Sequence, residues 1–299
     1  MKYLYYPGCS LKGTNRAYEE SVLAVFQALG VEMEELGDWN CCGATAYMAI
    51  DEMKTFALAA RNLALAEKQG NSAQATLVAP CSGCYLVLSK TQHYLQEYPQ
   101  VSQTIDEALG AAKLTYSRQV QIRHPLDVLV HEIGLPAIAS KVNRPLGGLK
   151  VACYYGCQIV RPYAAFDDQV NPTSMDDLIR SLGAETVDWP LKTRCCGGSL
   201  MGTLPDVGIP LSYILLKEAQ KRGADVVATA CPLCQFNMEC YQDRMSRQFK
   251  EKLELPVAYF TQILGLALGI PERQLGLQRL FIPLPSLPSA REGGRYVRV

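Results

Sequence analysis

Thr76-Leu77-Val78-Ala79-Pro80-Cys81-Ser82-Gly83-Cys84 is an apolar run of strand length that ends on a Cys-x-x-Cys, and Val226-Val227-Ala228-Thr229-Ala230-Cys231-Pro232-Leu233-Cys234 repeats it 150 positions later. Each copy reads as a strand whose carboxyl end carries two thiols and opens the next helix. The likeness extends upstream in the same order. Cys9, then Cys41-Cys42-Gly43, then Cys81 and Cys84 in the first half match Cys157, then Cys195-Cys196-Gly197, then Cys231 and Cys234 in the second, at offsets of 148, 154 and 150. These sets take ten of the twelve cysteines, so the chemistry of the chain is expected at two related thiol sites. A repeat this long is a whole domain rather than a solenoid unit. It implies an internal duplication with two halves related by a pseudo-twofold.

The elements around the cysteines follow one plan. Short apolar strands at 3–6 and 149–154 precede Cys9 and Cys157. Helices at 16–29 and 175–182 stop at Gly30 and Gly183, and strands follow at 31–35 and 185–188. The Cys-Cys pair then lies in a loop, before helices at 52–69 and 207–222 and strands at 75–79 and 225–229 that end on the Cys-x-x-Cys. Strands alternating with helices predict an α/β fold, two similar tandem domains each with a mainly parallel sheet flanked by helices. The boundaries are 1–145, with helices over 98–145 linking the halves, 146–282, and a flexible tail at 283–299 rich in Pro, Ser, Gly and Arg. Every cysteine element falls at the carboxyl end of a strand, where ligands gather in such sheets. Thiolates at a helix start are also favoured by the helix dipole.

The 299 residues give each half room for its own core. Twenty-nine basic and 29 acidic side chains balance, which excludes a general affinity for nucleic acid or an anionic membrane. No run of eighteen apolar residues exists to span a bilayer, and the N-terminus shows no secretory h-region. A cytoplasmic protein is expected, held at a membrane only through partners if at all. In a reducing compartment, cysteines serve metal or redox chemistry more often than structural disulfides. Adjacent cysteines also have Cα atoms about 3.8 Å apart, below the roughly 4.4 Å lower edge of an ordinary disulfide.

Zinc in one half, with the chain as a zinc-stapled scaffold, is the sober alternative. Zinc, however, wants four ligands where each half offers five thiols, and the loops between ligands exceed thirty residues, unlike compact zinc modules. Iron–sulfur centres absorb many soft thiolates readily.

The full pattern, C-x31-CCG-x37-CxxC followed by C-x37-CCG-x33-CxxC, resembles the cysteine-rich CCG domain in tandem. The words Cys195-Cys196-Gly197-Gly198-Ser199-Leu200, Ala230-Cys231-Pro232-Leu233-Cys234-Gln235 and Pro256-Val257-Ala258-Tyr259-Phe260-Thr261-Gln262 are similar to the B-type subunits of heterodisulfide reductase, and the similarity runs from about residue 2 to 280. The resemblance implies a noncubane [4Fe-4S] cluster in each domain, with a disulfide substrate cleaved between the two. It assigns Cys9, Cys41, Cys42, Cys81 and Cys84 to one cluster, and Cys157, Cys195, Cys196, Cys231 and Cys234 to the other. It also implies a ferredoxin-like iron–sulfur subunit and a flavin subunit as partners. The chain itself has no GxGxxG after a strand and no C-x2-C-x2-C-x3-C run.

Related cysteine-rich domains also serve in succinate-, lactate- and glycolate-oxidising complexes, so an electron-relay or docking subunit is the alternative of a different class. Cys153 is the alternative to Cys157, and Cys240 reads as packing. Lys12, Arg16 and Arg161 follow the first cysteine of each half and read first as ordinary solvated charge, though they could meet an anionic substrate; His124, with His131 and His93, reads first as a structural histidine, though one could deliver a proton. Gly43, Gly197 and Gly198 are expected to let the backbone pass close to sulfide.

Overall fold

Two four-stranded sheets, parallel throughout, form the frame of a computed structural model that describes residues 1–44, 46–70 and 75–286. In the first, β1 (Lys2–Tyr5), β2 (Glu32–Glu35), β3 (Thr76–Val78) and β4 (Gln121–Arg123) stand in the order β2-β1-β3-β4. In the second, β5 (Lys150–Tyr154), β6 (Glu185–Thr186), β7 (Val226–Thr229) and β8 (Val257–Tyr259) stand in the order β6-β5-β7-β8. The identical order is the duplication seen in three dimensions. Because parallel neighbours need crossovers, helices join the strands, and the central strands are buried on both faces. Of the expected flexible tail, residues 287–299 lie outside the described residues.

Local chemistry fixes the long helices. Asp51 accepts from the Lys54 N–H at 3.0 Å and caps Glu52–Gln69. Pro99 opens Pro99–Ala111, and Pro205 opens Pro205–Lys221, at first-turn positions where the missing N–H costs nothing. The stretch expected to be purely helical over 98–145 contains β4, and the second half contains β8, which adds the fourth strand to each sheet. Past β4 the chain runs through Pro125–Asp127, a π-helical turn Val128–Gly134, and Leu135–Ala139.

The two halves do not keep separate cores. One large apolar core takes Val22, Phe26 and Leu63 from the first half together with Val151, Ile179 and Ile263 from the second, and a smaller one lies around Trp189, Leu216 and Met238. The helix Arg16–Ala28 packs on Phe260–Ala267 of the other half. Tyr18 stacks on Tyr259 with ring centres 4.1 Å apart, and the Ser21 and Thr261 hydroxyls are 2.7 Å apart. The halves therefore pack on one another through a shared core, with Cys81 and Cys231 meeting where they join.

Candidate cluster sites

Strand ends and helix starts position the thiols as the repeat predicts. Cys81 and Cys231 are the residues immediately before the helices Ser82–Glu97 and Pro232–Cys240, and Cys84 and Cys234 stand in their first turns, where the helix dipole favours a thiolate. The strand-end tyrosines hold the loops before each Cys-Cys pair. The Tyr6 hydroxyl donates to the Asn40 carbonyl at 2.7 Å, and its counterpart Tyr154 donates to the Arg194 carbonyl at 2.6 Å.

In each half the five thiols form a chain of neighbours. Cys9 lies 3.7 Å from Cys41 between sulfurs, Cys41 adjoins Cys42, and Cys42 lies 3.2 Å from Cys84, which adjoins Cys81. In the second half Cys157 meets Cys195, Cys195 meets Cys196, and Cys196 lies 3.3 Å from Cys234, which adjoins Cys231. The two chains touch at their buried ends, Cys81 against Cys231. Their other ends open to solvent: Cys9, Cys41 and Cys195 are exposed and Cys157 partly so. No disulfide joins any of the twelve.

Such crowding has an electrostatic consequence. The Cys42 and Cys9 thiols beside Cys41 hold it far below the usual thiol range, and the Cys157 and Cys196 thiols, with the Gly197 N–H, do the same for Cys195. Cys9 and Cys157 are pushed up by the thiolates they face. In the first half Cys81 is held low as well, by the Cys231 and Cys84 thiols, so charge collects on a few thiols while their neighbours keep their protons. Ionising all five requires a bound cation. Among the described residues no three His, Cys, Asp or Glu side chains converge as they would on a single ion. A donor set of five soft thiols strung along an open edge fits a polynuclear iron–sulfur group better than a mononuclear metal.

The glycines that make room for the sulfurs are not the expected ones. At Gly8 (φ +67°) an added Cβ would lie 3.0 Å from the Cys84 sulfur, and at Gly156 (φ +71°) 3.4 Å from the Cys234 sulfur. Gly43 and Gly197 instead abut Thr55 and the Gly208 backbone, each at 3.0 Å, so they let the Cys-Cys loop pack on the following helix. Nothing lies within 4 Å at Gly198.

The remaining sequence candidates separate. Cys153 is fully buried in β5, its thiol pushed up by desolvation, and it does not join the chain that Cys157 joins. Cys240 is half-buried and pushed up to about 11 by burial. Lys12 is committed to Glu19 and Glu35, both at 2.6 Å, and Arg16 is exposed at the first turn of its helix. Arg161 donates to the Thr193 carbonyl beside the second site. His124 is fully buried, its Nε2 2.8 Å from the Pro80 carbonyl and its Nδ1 accepting from the Leu126 N–H at 3.1 Å. Burial pushes it down to about 4, and with both ring nitrogens engaged it props the Cys81 loop, in keeping with a structural histidine. His131 pairs with Asp127 at 3.0 Å, and His93 with Glu97 at 3.0 Å.

Sequence reasoning missed Asn237, which is buried and donates to the Gly198 carbonyl at 2.9 Å and toward the Cys196 sulfur at 3.5 Å. Its position three residues after Cys234 on one helix was the available signal. It also missed the support under the Cys157 loop, where the Tyr155 and Gly156 N–H groups donate to the Lys192 carbonyl. The buried Lys192 ammonium pairs with Asp176 at 2.9 Å, and the Tyr155 hydroxyl donates to the same carboxylate at 2.6 Å.

Comparison with known proteins matches this doubled site as a unit, with the family described as CCG, cysteine-rich domain, aligning to residues 3–89 and again to 151–239. The chain belongs to the CCG cysteine-rich domain family. Within it, the chain is 32% identical over 288 residues to the 8-methylmenaquinol:fumarate reductase membrane anchor subunit of Wolinella succinogenes, covering 96% of this chain and 99% of that one. It is 29% identical to an Archaeoglobus profundus protein described as like the B-type subunits of heterodisulfide reductase, covering 93% and 94%. It is 28% identical to the B-type subunit of the ferredoxin:CoB-CoM heterodisulfide reductase of Methanosarcina mazei, covering 91% of each. Among solved structures, a hypothetical protein from Helicobacter pylori superposes with a TM-score of 0.76 at 14% identity. It shares the fold over 95% of this chain, which spans about half, 52%, of that structure. Among the described residues of this CCG protein no helix is long and apolar enough to cross a membrane.

Proposed function

We propose that this CCG protein is the two-cluster subunit of a heterodisulfide reductase-type complex and cuts a small-molecule disulfide to two thiols. Cys9, Cys41, Cys42, Cys81 and Cys84 would hold one noncubane [4Fe-4S] cluster, and Cys157, Cys195, Cys196, Cys231 and Cys234 the other. The observation that carries the reading is the meeting of Cys81 and Cys231, which sets the two thiol chains end to end across the seam. Reduction of R–S–S–R′ takes up two electrons and two protons and yields RSH and R′SH. The clusters, when bound, supply those electrons singly, one from each side of the seam.

The chain's own residues prepare that arrangement. Gly8 and Gly156 leave space at the buried sulfurs, and Tyr6 and Tyr154 pin the loops that carry the Cys-Cys pairs. Asn237 orients Cys196. Of the thiols at the two helix starts, Cys81 is held low by the Cys231 and Cys84 thiols, while facing thiols and burial push Cys84 and Cys234 up. With no flavin or ferredoxin motif of its own, the subunit takes electrons from a ferredoxin-like partner fed by a flavin subunit. Its place is the cytoplasm, in a complex that can sit at a membrane through partners. The test is anaerobic: reconstituted and chemically reduced protein is mixed with disulfides while the visible spectrum and free thiol are followed. Reoxidation of the clusters with two thiols formed per disulfide is expected. A spectrum unchanged by every disulfide would contradict the reading.

The full-length likeness to a fumarate reductase anchor subunit favours a second reading. There the same two sites relay electrons between a quinol-linked partner and another subunit, with no disulfide cut. Reduced protein that is reoxidised by a quinone analogue in the presence of partners, yet releases no thiol from any disulfide, would select it.

A further inference from the structure

A cavity of about 180 Å³ opens on the seam between the halves, lined by Tyr85, Ser89 and His93 of the first half and by Gln158, Arg161 and Tyr163 of the second. It has room for about six waters, hence for one short arm of a small molecule. Its polar residues bracket both sites. The Gln158 side-chain oxygen lies 3.1 Å from where a Cβ would stand on Gly83, and the Cys81 sulfur 3.7 Å from the same point, so Gln158 reaches from the Cys157 loop to the Cys-x-x-Cys of the other half. The His93 and Tyr163 rings lie 4.7 Å apart across the seam. Arg161 donates to the Thr193 carbonyl two residues before Cys195. No carboxylate among the described residues pairs with it, whereas Lys12, at a similar distance after the first cysteine of its half, is held by two.

A guanidinium with no carboxylate partner among the described residues, on a small and mainly apolar cavity beside a redox site, is poised for an anion. We propose that this cavity takes one arm of the disulfide, that the arm ends in an anionic group such as a carboxylate, and that Arg161 binds that group while Gln158 positions the S–S bond toward Cys81. The proposal rests on the disulfide reading above and adds the charge of the substrate to it. The reaction is unchanged: two electrons from a supplied one-electron reductant and two protons from water convert R–S–S–R′ into two thiols, with no bond made to Arg161.

The probes are 3,3′-dithiodipropionate, with anionic arms, and bis(2-hydroxyethyl) disulfide, with neutral ones. The reconstituted protein should prefer the anionic probe in kcat/KM, and Arg161→Gln should lower that preference about tenfold through KM, as loss of one charge-assisted contact does. Arg161→Lys should recover part of it, and the remote surface variant Arg247→Gln should keep it. No preference in the parent protein, or one unaltered in Arg161→Gln, would overturn the proposal. If the parent protein cuts neither probe, the disulfide reading fails, and equilibrium dialysis of radiolabelled 3,3′-dithiodipropionate then judges the cavity alone. Binding weakened about tenfold in Arg161→Gln sustains the anion site; equal binding ends it.

Discussion

Replacing Gly8 by Ala tests whether the backbone before the first cysteine is shaped by the sulfurs. Gly8 has φ +67°, which costs an alanine about 1 kcal/mol. Its new methyl would also lie 3.0 Å from the Cys84 sulfur, tighter than most real contacts, so the cysteine or the helix start must give by a few tenths of an ångström, at roughly another 1 kcal/mol. Gly30 is the matched control: its φ is +81°, and nothing lies within 4 Å of an added Cβ. Gly30→Ala should therefore show the conformational cost alone. Chemical denaturation of the apoprotein under reducing conditions is expected to show a loss of about 2 kcal/mol for Gly8→Ala and about 1 kcal/mol for Gly30→Ala. After anaerobic reconstitution, iron should fall by about half in Gly8→Ala, one site of two, and stay at the parent level in Gly30→Ala. Full iron in Gly8→Ala, with a stability equal to that of the control, would refute the reasoning.

Further outcomes follow from the same geometry. Cys157→Ser should cost about half of the bound iron, while Cys153→Ala, buried outside the thiol chain, should keep all of it, as read by iron and sulfide analysis. Lys192→Met strands the buried Asp176 carboxylate and should destabilise the fold by about 3–5 kcal/mol in denaturant titrations, with much of the loss regained in Lys192→Met/Asp176→Leu. His124 is held neutral by burial, at about 4 against an ordinary value near 6.5. Its contribution to stability is whole above pH 6.5 and is lost as the pH falls toward 4, because only the unfolded chain takes up the proton there. Unfolding curves at about pH 7 and pH 5 should differ by up to ~2 kcal/mol from this residue, and His124→Asn should remove that part of the slope.

What could be read from the chain followed from repetition. Ten cysteines in two equal sets at strand ends identified the sheet edge and the paired sites, and six of the eight strands lie where the apolar runs placed them. The two missed strands are three residues each. Gln121-Ile122-Arg123 offers a single apolar residue and hence no period, and its place in the sheet is decided by pairing with β3 rather than by its own pattern. The shared core was equally hidden, since composition cannot say that Tyr18 will stack on Tyr259, 241 positions away in the chain. Within the site, the cysteines were legible because thiols are scarce and soft. Gly8 and Gly156 were not, because only coordinates show which glycine faces a sulfur. Lys12 and Arg161 looked equivalent in sequence; the carboxylates that hold one and leave the other come from β2 and from the helix Arg16–Ala28.

The central claim is that each half holds one polynuclear iron–sulfur cluster on five thiols. Metal and acid-labile sulfide analysis with Mössbauer and EPR spectra of anaerobically purified protein tests it directly. Two four-iron clusters per chain are expected, reduced to one by changing Cys41 or Cys195 to Ser. Colourless protein carrying zinc, indifferent to reductants, would contradict it.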